Sequence, residues 1–162
     1  NGMRQGGWKM NHRFESVLTY RNFYHSVKRN MVKYILFKYE NSLREKKGYP
    51  LLTINNYYET DERKKLSIEH ITSQKSKELV FDEDFKENYL HSLGNLVIDS
   101  KSSNSRKGNK NVNSKILEYN QAPIISQNLI NEYNVNWSSL LEVKDFIDKR
   151  NEQLVKFVKD MI

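Results

Sequence analysis

The stretch Ser67 to Gln74, SIEHITSQ, sets an acid and an imidazole side by side between two isoleucines. The segment KLSIEHI alternates well enough to predict a short strand, with Leu66 and Ile68 on one face, His70 a candidate third member, and Ser67, Glu69 and Ile71 on the other. What the pair Glu69-His70 is for depends on a second stretch, HSLGNLVIDSKSSNSRKGNK, residues 91 to 110. There NLVID is a β-prone run, and Ser102 or Ser103 can cap a new helix that carries Asn104. Between the two stretches, residues 82 to 91 predict a helix that opens on acidic residues and ends at Gly94. The order strand, connection, strand, helix predicts a compact unit.

Helical spacing surrounds that unit. From Phe14 to Lys47 apolar residues recur at Phe14, Val17, Leu18, Tyr24, Val27, Met31, Tyr34, Ile35 and Leu43, one face of a long helix or of two in sequence. His12 and His25 beside it read as core and surface rather than as ligands. Gly48, Pro50 and INNYYETDERKK break the period and predict a connecting loop. Downstream, VNSKILEY, PIISQNLINEY and SSLLEVKDFIDKRNEQLVKFVKDMI each carry helical spacing, with Pro123 placed for a first turn. The last of these should bury Leu140, Leu141, Phe146, Ile147, Leu154, Val158 and Met161.

Composition narrows the function classes. A chain of 162 residues, 37% hydrophobic and 29% charged, has the length and apolar content for one globular domain with its own core. There is no cysteine, so a disulfide framework and a thiolate zinc site are both excluded, and any metal must be held by oxygen and imidazole. No apolar run reaches the length of a membrane span and no charged-then-apolar leader opens the chain, so the expected location is the cytoplasm and no membrane is expected as a partner. The formal net charge of +7 favours a polyanionic partner, although a lysine-rich solvated surface gives the same number. The opening NGMRQGGW reads as a cloning edge or the cut end of a longer protein.

The residue types support one chemistry in particular. Hydrolysis of a phosphodiester needs a base for water, an electrophile for the phosphate charge and help for the departing oxygen. His70 could be the base, since an imidazole titrates near working pH. Glu69 and Asn104 could hold one hard divalent ion, because Mg²⁺ keeps several waters and substrate oxygens in its shell and two protein ligands suffice. Each residue also has a plain structural reading: an exposed ion pair for Glu69 and His70, turn chemistry for Asn95 after Gly94, a helix cap for Asn104. His91 could touch a phosphate or a leaving oxygen, or pack beside the site. Lys101, Arg106, Lys107 and Lys110 surround the expected helix start and are candidate phosphate contacts, or else a solvated basic loop.

IEHI, then LGNLVI, then an Asn nine positions after the Asn of GNL resembles the pattern of the His-Asn-His (HNH) nucleases, built on a ββα-metal finger. The resemblance implies that Glu69 is the acidic metal ligand, His70 the general base, and Asn95 the residue whose amide ties the loop between the strands and helps orient the base. The third position, often a metal-binding His, is here Asn104. A neutral carbonyl there implies a hard, magnesium-like site rather than a tight zinc site. The fuller resemblance is to the C-terminal HNH domain of GmrSD-type restriction enzymes. SKILEY and NWSSLLEVKDFIDKRNEQLV resemble that family's closing pattern of a Lys and Tyr, then Trp, Ile, Arg and Leu, and MVKYILFKYENSL resembles its leading helix.

The implied fold class is α+β and mostly helical, with a ββα-metal finger embedded among helices. The implied organisation is a linker or edge over residues 1–13 and one nuclease domain over 14–162: a leading helix at 14–47, the finger at 64–110 and C-terminal helices at 112–162, together the C-terminal part of a longer protein. The implied activity is endonucleolytic cleavage of DNA in restriction or phage defence, with one divalent ion, Mg²⁺ first and Mn²⁺ as an alternative. RNA as substrate stays open. An NTP-hydrolysing, ParB-like region is the implied regulatory partner, and no nucleotide motif of that kind occurs in this chain. The competing expectation is a non-catalytic basic module that binds nucleic acid or protein and keeps a degenerate finger as scaffold.

Overall fold

The computed structural model describes residues 29–161. The expected helix over 14–28, with His12 and His25, lies outside the described residues. Nine elements follow: α1 Arg29–Lys47, the single turn α2 Ile54–Tyr57, β1 Leu66–His70, α3 Glu83–Asn88, β2 Leu96–Ser100, α4 Lys101–Lys107, α5 Val112–Gln121, α6 Ile125–Asn128 and α7 Leu140–Met161, with 3₁₀ turns at Leu93–Asn95 and Leu129–Tyr133. The fold is a mostly helical α+β one with a small two-stranded sheet, as its sequence predicts. No helix among the described residues is long and apolar enough to cross a membrane.

The sheet is the antiparallel pair β1 and β2, in register Leu66 with Ser100, Ile68 with Ile98 and His70 with Leu96. A two-stranded ribbon has little stability in water, so both faces must be covered. Helices α1 and α7 cover one face, where Val32, Ile35, Leu36, Leu154, Val155 and Val158 meet Leu66, Leu96 and Ile98. On the other, Val97 joins Ile71, Phe85, Val112, Tyr119, Val143, Phe146 and Ile147. Burial on both faces is why β2 reads as an unbroken apolar run rather than an alternating one. Full burial of each such aliphatic or aromatic side chain contributes about 1.5–3 kcal/mol.

Local chemistry sets the boundaries, and several differ from expectation. Helix α1 stops at Lys47 because Gly48 takes a positive φ of 70°, after a last turn carrying Arg44, Lys46 and Lys47. The loop beyond holds a one-turn helix, nucleated by a capping box between Thr53 and Asn56. Helix α3 ends at Asn88, six residues short of Gly94. Gly94 serves another need: a Cβ there would lie 2.2 Å from the carbonyl oxygen of Ile147, so only glycine lets the 3₁₀ turn lie against α7. Its N–H donates to Asn151 Oδ1 at 2.6 Å, and Arg150 donates to the carbonyls of Gly94 and, at 3.1 Å, Leu96.

Helix α4 is capped by Ser100, whose side chain accepts from Ser103 N, rather than by Ser102 or Ser103. Its first turn therefore follows directly on β2. Pro123 stands just ahead of α6, which begins at Ile125. On α7 the buried stripe is Val143, Phe146, Ile147, Arg150, Leu154, Val155 and Val158. Leu141 is 78% exposed and Met161, the last residue of the helix, 37%, so both fall outside the buried stripe.

Candidate active site

The last two positions of β1 are Glu69 and His70, paired with Val97 and Leu96. Strand alternation and the approach of α4 and α5 give the two side chains different neighbours. His70 Nε2 lies 3.1 Å from His91 Nδ1, and Gln74 Nε2 lies 3.4 Å from His70 Nδ1. Donor and acceptor roles in both contacts turn on the tautomer: with Gln74 donating to His70 Nδ1, a neutral ring would carry its proton on Nε2, toward His91 Nδ1.

Asn95 joins the chain on either side of the sheet's closed end. Its Oδ1 accepts from Thr72 N at 2.9 Å, and its Nδ2 donates to the carbonyls of Leu90 at 2.8 Å and Thr72 at 3.2 Å. The backbone adds Ile71 N to Asn95 O at 2.8 Å. The segment that leaves His70 is thereby fastened to the turn that enters β2, and the amide is fully buried.

Asn104 projects from α4 onto β1, where its Nδ2 donates to Ser67 Oγ and to the Ile68 carbonyl, both at 3.0 Å. With the nitrogen anchored to the strand, Oδ1 is on the opposite side of the amide and takes no hydrogen bond among the described residues. Glu69 is treated just as unevenly. Lys115 Nζ donates to its Oε1 at 2.8 Å and the Tyr119 hydroxyl donates to the same oxygen at 2.9 Å, while Oε2 takes no hydrogen bond among the described residues. Lys115 spends its other two protons on the His70 carbonyl at 3.0 Å and Ser73 Oγ at 3.2 Å.

Burial pushes the Glu69 carboxyl above the ordinary carboxylate range, against the pull of Lys115 and Tyr119. It pushes the Lys115 ammonium below its usual value, with Glu69 opposing. The Tyr119 phenol is raised well above its ordinary value by burial and then by Glu69.

Glu69, His70 and Asn104 all line one open cleft of about 620 Å³. Its rim is basic: Arg29, Lys33, Lys65 and Lys101 line it too. Lys33 is held below its usual value first by partial burial and then by the nearby Lys65 charge. Glu62 pairs with both Lys101 and Lys65 there.

The remaining expected contacts scatter. His91 is buried against His70 and is not among the residues lining the cleft. Lys107 is 0% exposed and is not available to a phosphate at the surface: it donates to Asp99 Oδ2 and Ser103 Oγ, both at 2.7 Å, as the counter-ion of β2. Arg106 is exposed and paired with Glu118, and Lys110 is exposed; neither is among the residues lining the cleft.

Sequence reasoning marked Lys115 and Tyr119 only as the Lys and Tyr of the resembling closing pattern, with no role at the site, and did not name the rim residues Arg29, Lys33 and Lys65. The available signal was SKILEY: a lysine and a tyrosine four apart on the otherwise apolar side of a helix need a buried partner.

Nucleases built on such fingers generally use a divalent metal. Among the described residues no three His, Asp or Glu side chains converge as a metal cage. What the cleft offers is one carboxylate oxygen and one amide oxygen without protein donors. That sparse, all-oxygen set suits a hard ion that retains waters and unsuits a closed zinc site.

An antiparallel pair followed at once by a helix, with acid and imidazole at the end of the first strand and an amide on the helix, is the order of parts expected of an HNH nuclease finger. The chain belongs to a particular family: the model for the GmrSD restriction endonucleases, C-terminal domain, matches residues 8–157. That is a family of restriction nucleases. No curated protein and no solved structure matches the chain.

Proposed function

We propose that this domain is a metal-dependent endonuclease that hydrolyses DNA phosphodiester bonds in restriction or phage defence. One observation carries the reading: a single cleft gathers Glu69, His70 and Asn104 while one oxygen of the acid and one of the amide stay unclaimed by protein donors. Glu69 and Asn104 would hold one divalent ion, Mg²⁺ first and Mn²⁺ as the alternative. When bound, such an ion supplies charge neutralisation at the scissile phosphate and the departing 3′ oxygen.

His70 takes the proton of the attacking water at Nδ1. The 3.4 Å contact from Gln74 is long enough to give way to that water. Throughout, the Nε2 proton stays directed at His91 Nδ1, so His91 fixes the ring and its tautomer. Asn95 fixes the loop that follows the base. Lys33, Lys65 and Lys101 hold flanking phosphates, which carry position rather than sequence. An NTP-hydrolysing, ParB-like region, on the same polypeptide or another subunit, would control the domain in the cytoplasm.

The test is nicking of supercoiled plasmid with Mg²⁺ or Mn²⁺. Chelation should abolish it without unfolding the domain, and His70→Ala should lower the rate about 10²–10⁴-fold at an unchanged melting temperature. A variant that nicks like the parent refutes the assignment of the base. Salt-dependent DNA binding with no ion-dependent cleavage would favour the non-catalytic module instead. Parallel assays on RNA decide the sugar.

A further inference from the structure

We infer that Lys115 and Tyr119 are positioning residues for Glu69: together they pin Oε1 and leave Oε2 as the one carboxylate oxygen the cleft can use. The inference rests on reading Glu69 as the carboxylate ligand of the ion. A glutamate side chain has three rotatable bonds, and a carboxylate without partners presents either oxygen, or both, to a cation. Here two donors from one helix face converge on the same oxygen at 2.8 and 2.9 Å. The Lys115 ammonium is itself immobile, since all three of its protons are committed and the side chain is wholly buried.

Two of those protons bind the Glu69-His70 unit, one through the acid's side chain and one through the base's carbonyl. A single ammonium therefore fixes the relative placement of acid and base. Tyr119 is locked in turn. It is fully buried, with the Lys107 and Lys115 ammonium groups 5.4 and 5.5 Å from its ring centroid. Asp99 in the same neighbourhood is bonded through both oxygens instead, with Ser100 N on Oδ1 and Lys107 on Oδ2.

Lys115 has a second, opposing effect, because a positive charge on Oε1 also repels a cation on Oε2. Tyr119→Phe is the cleaner probe: it removes one donor, keeps the ring, changes no charge and leaves Oε1 with its lysine. Supporting partners of metal ligands of this kind typically carry about 10–100-fold in metal affinity.

The experiment is a titration with Mn²⁺ alone, followed by electron paramagnetic resonance, in a His70→Ala background so that DNA stays intact. It is run with and without a saturating duplex. Tyr119→Phe, melting like its parent, should bind Mn²⁺ about 10-fold or more weakly. Lys115→Met, where it folds, should also bind more weakly than the parent. Glu69→Gln serves as the control. Parental Mn²⁺ affinity in a folded Tyr119→Phe, with affinity lost in Glu69→Gln, overturns the positioning role and leaves the proposed nuclease standing. A rise in affinity for Lys115→Met overturns it as well, since repulsion would then be that residue's whole effect. If Glu69→Gln binds like the parent, or the parent binds no Mn²⁺ even with DNA, the ligand assignment falls and takes this inference with it.

Discussion

Two buried glutamates, one on α1 and one on β1, are used in opposite ways. Glu40 is 0% exposed, and both its oxygens are spent: Oε1 accepts from Ser126 N at 2.8 Å, and Oε2 from Ile125 N at 2.9 Å and Arg44 Nε at 2.8 Å. It ties α1 to the start of α6, where the first backbone N–H groups lack helical acceptors. Glu69 is 2% exposed, yet both of its donors share one oxygen. Distribution of donors over the two oxygens, rather than burial or pairing as such, separates the acid that holds the fold from the acid that faces the cleft.

Substituting each glutamate by glutamine should split the two uses. Glu69→Gln can turn its carbonyl oxygen toward Lys115 and Tyr119 and its NH₂ toward the cleft, where water accepts. Stability should fall modestly, by about 1–3 kcal/mol. Cleavage should fall about 10³-fold or more, the loss of several kcal/mol of charge stabilisation. Glu40→Gln has no such escape, because its NH₂ meets an N–H donor whichever way it turns. Removing one partner of that buried pair should cost about 3–5 kcal/mol of unfolding free energy. The fraction that stays folded should cut at the parental rate. Urea denaturation and plasmid nicking on the same preparations read both quantities. If Glu40→Gln lost its activity per folded molecule, or Glu69→Gln lost the larger share of stability, the contrast between the two acids would collapse.

The sequence made one of these acids visible and hid the other. Glu69 stands beside His70 in a β-prone run, followed by LGNLVI and Asn104 at a fixed step, so motif and local period point the same way. Glu40 lies in a helical stretch of mixed polarity, and its partners Ile125 and Ser126 are more than eighty residues away. Nothing local announces a contact of that kind. The same physics explains the strands and long helices that were legible and the ends that were not. Periodicity reports which face is buried, whereas the end of α3, the cap at Ser100 and the need for Gly94 follow from one hydrogen bond or one close approach. Lys115 and Tyr119 fall between: their spacing was readable, and their common target was a tertiary fact.

The contrast extends from acids to two lysines of α4, where the effects are smaller. Lys101 and Lys107 open and close the same seven-residue helix, and their charges look interchangeable in the sequence. Lys101 is exposed on the cleft rim beside Glu62, whereas Lys107 is sealed against Asp99. Lys107→Gln should therefore lower stability by leaving Asp99 buried without its counter-ion, and should leave the salt dependence of DNA binding as it was. Lys101→Gln should leave the melting temperature in place, because its partner Glu62 remains solvated. Its DNA affinity should fall by a similar factor on every sequence, with the slope of log K against log salt shallower by about 0.9, the release of one counterion. Fluorescence anisotropy at several salt concentrations in a His70→Ala background measures that slope directly. An unchanged slope in Lys101→Gln would mean that the phosphate path avoids this end of α4. The basic rim would then lie along α1, with Lys33 and Arg29 as the residues to substitute next.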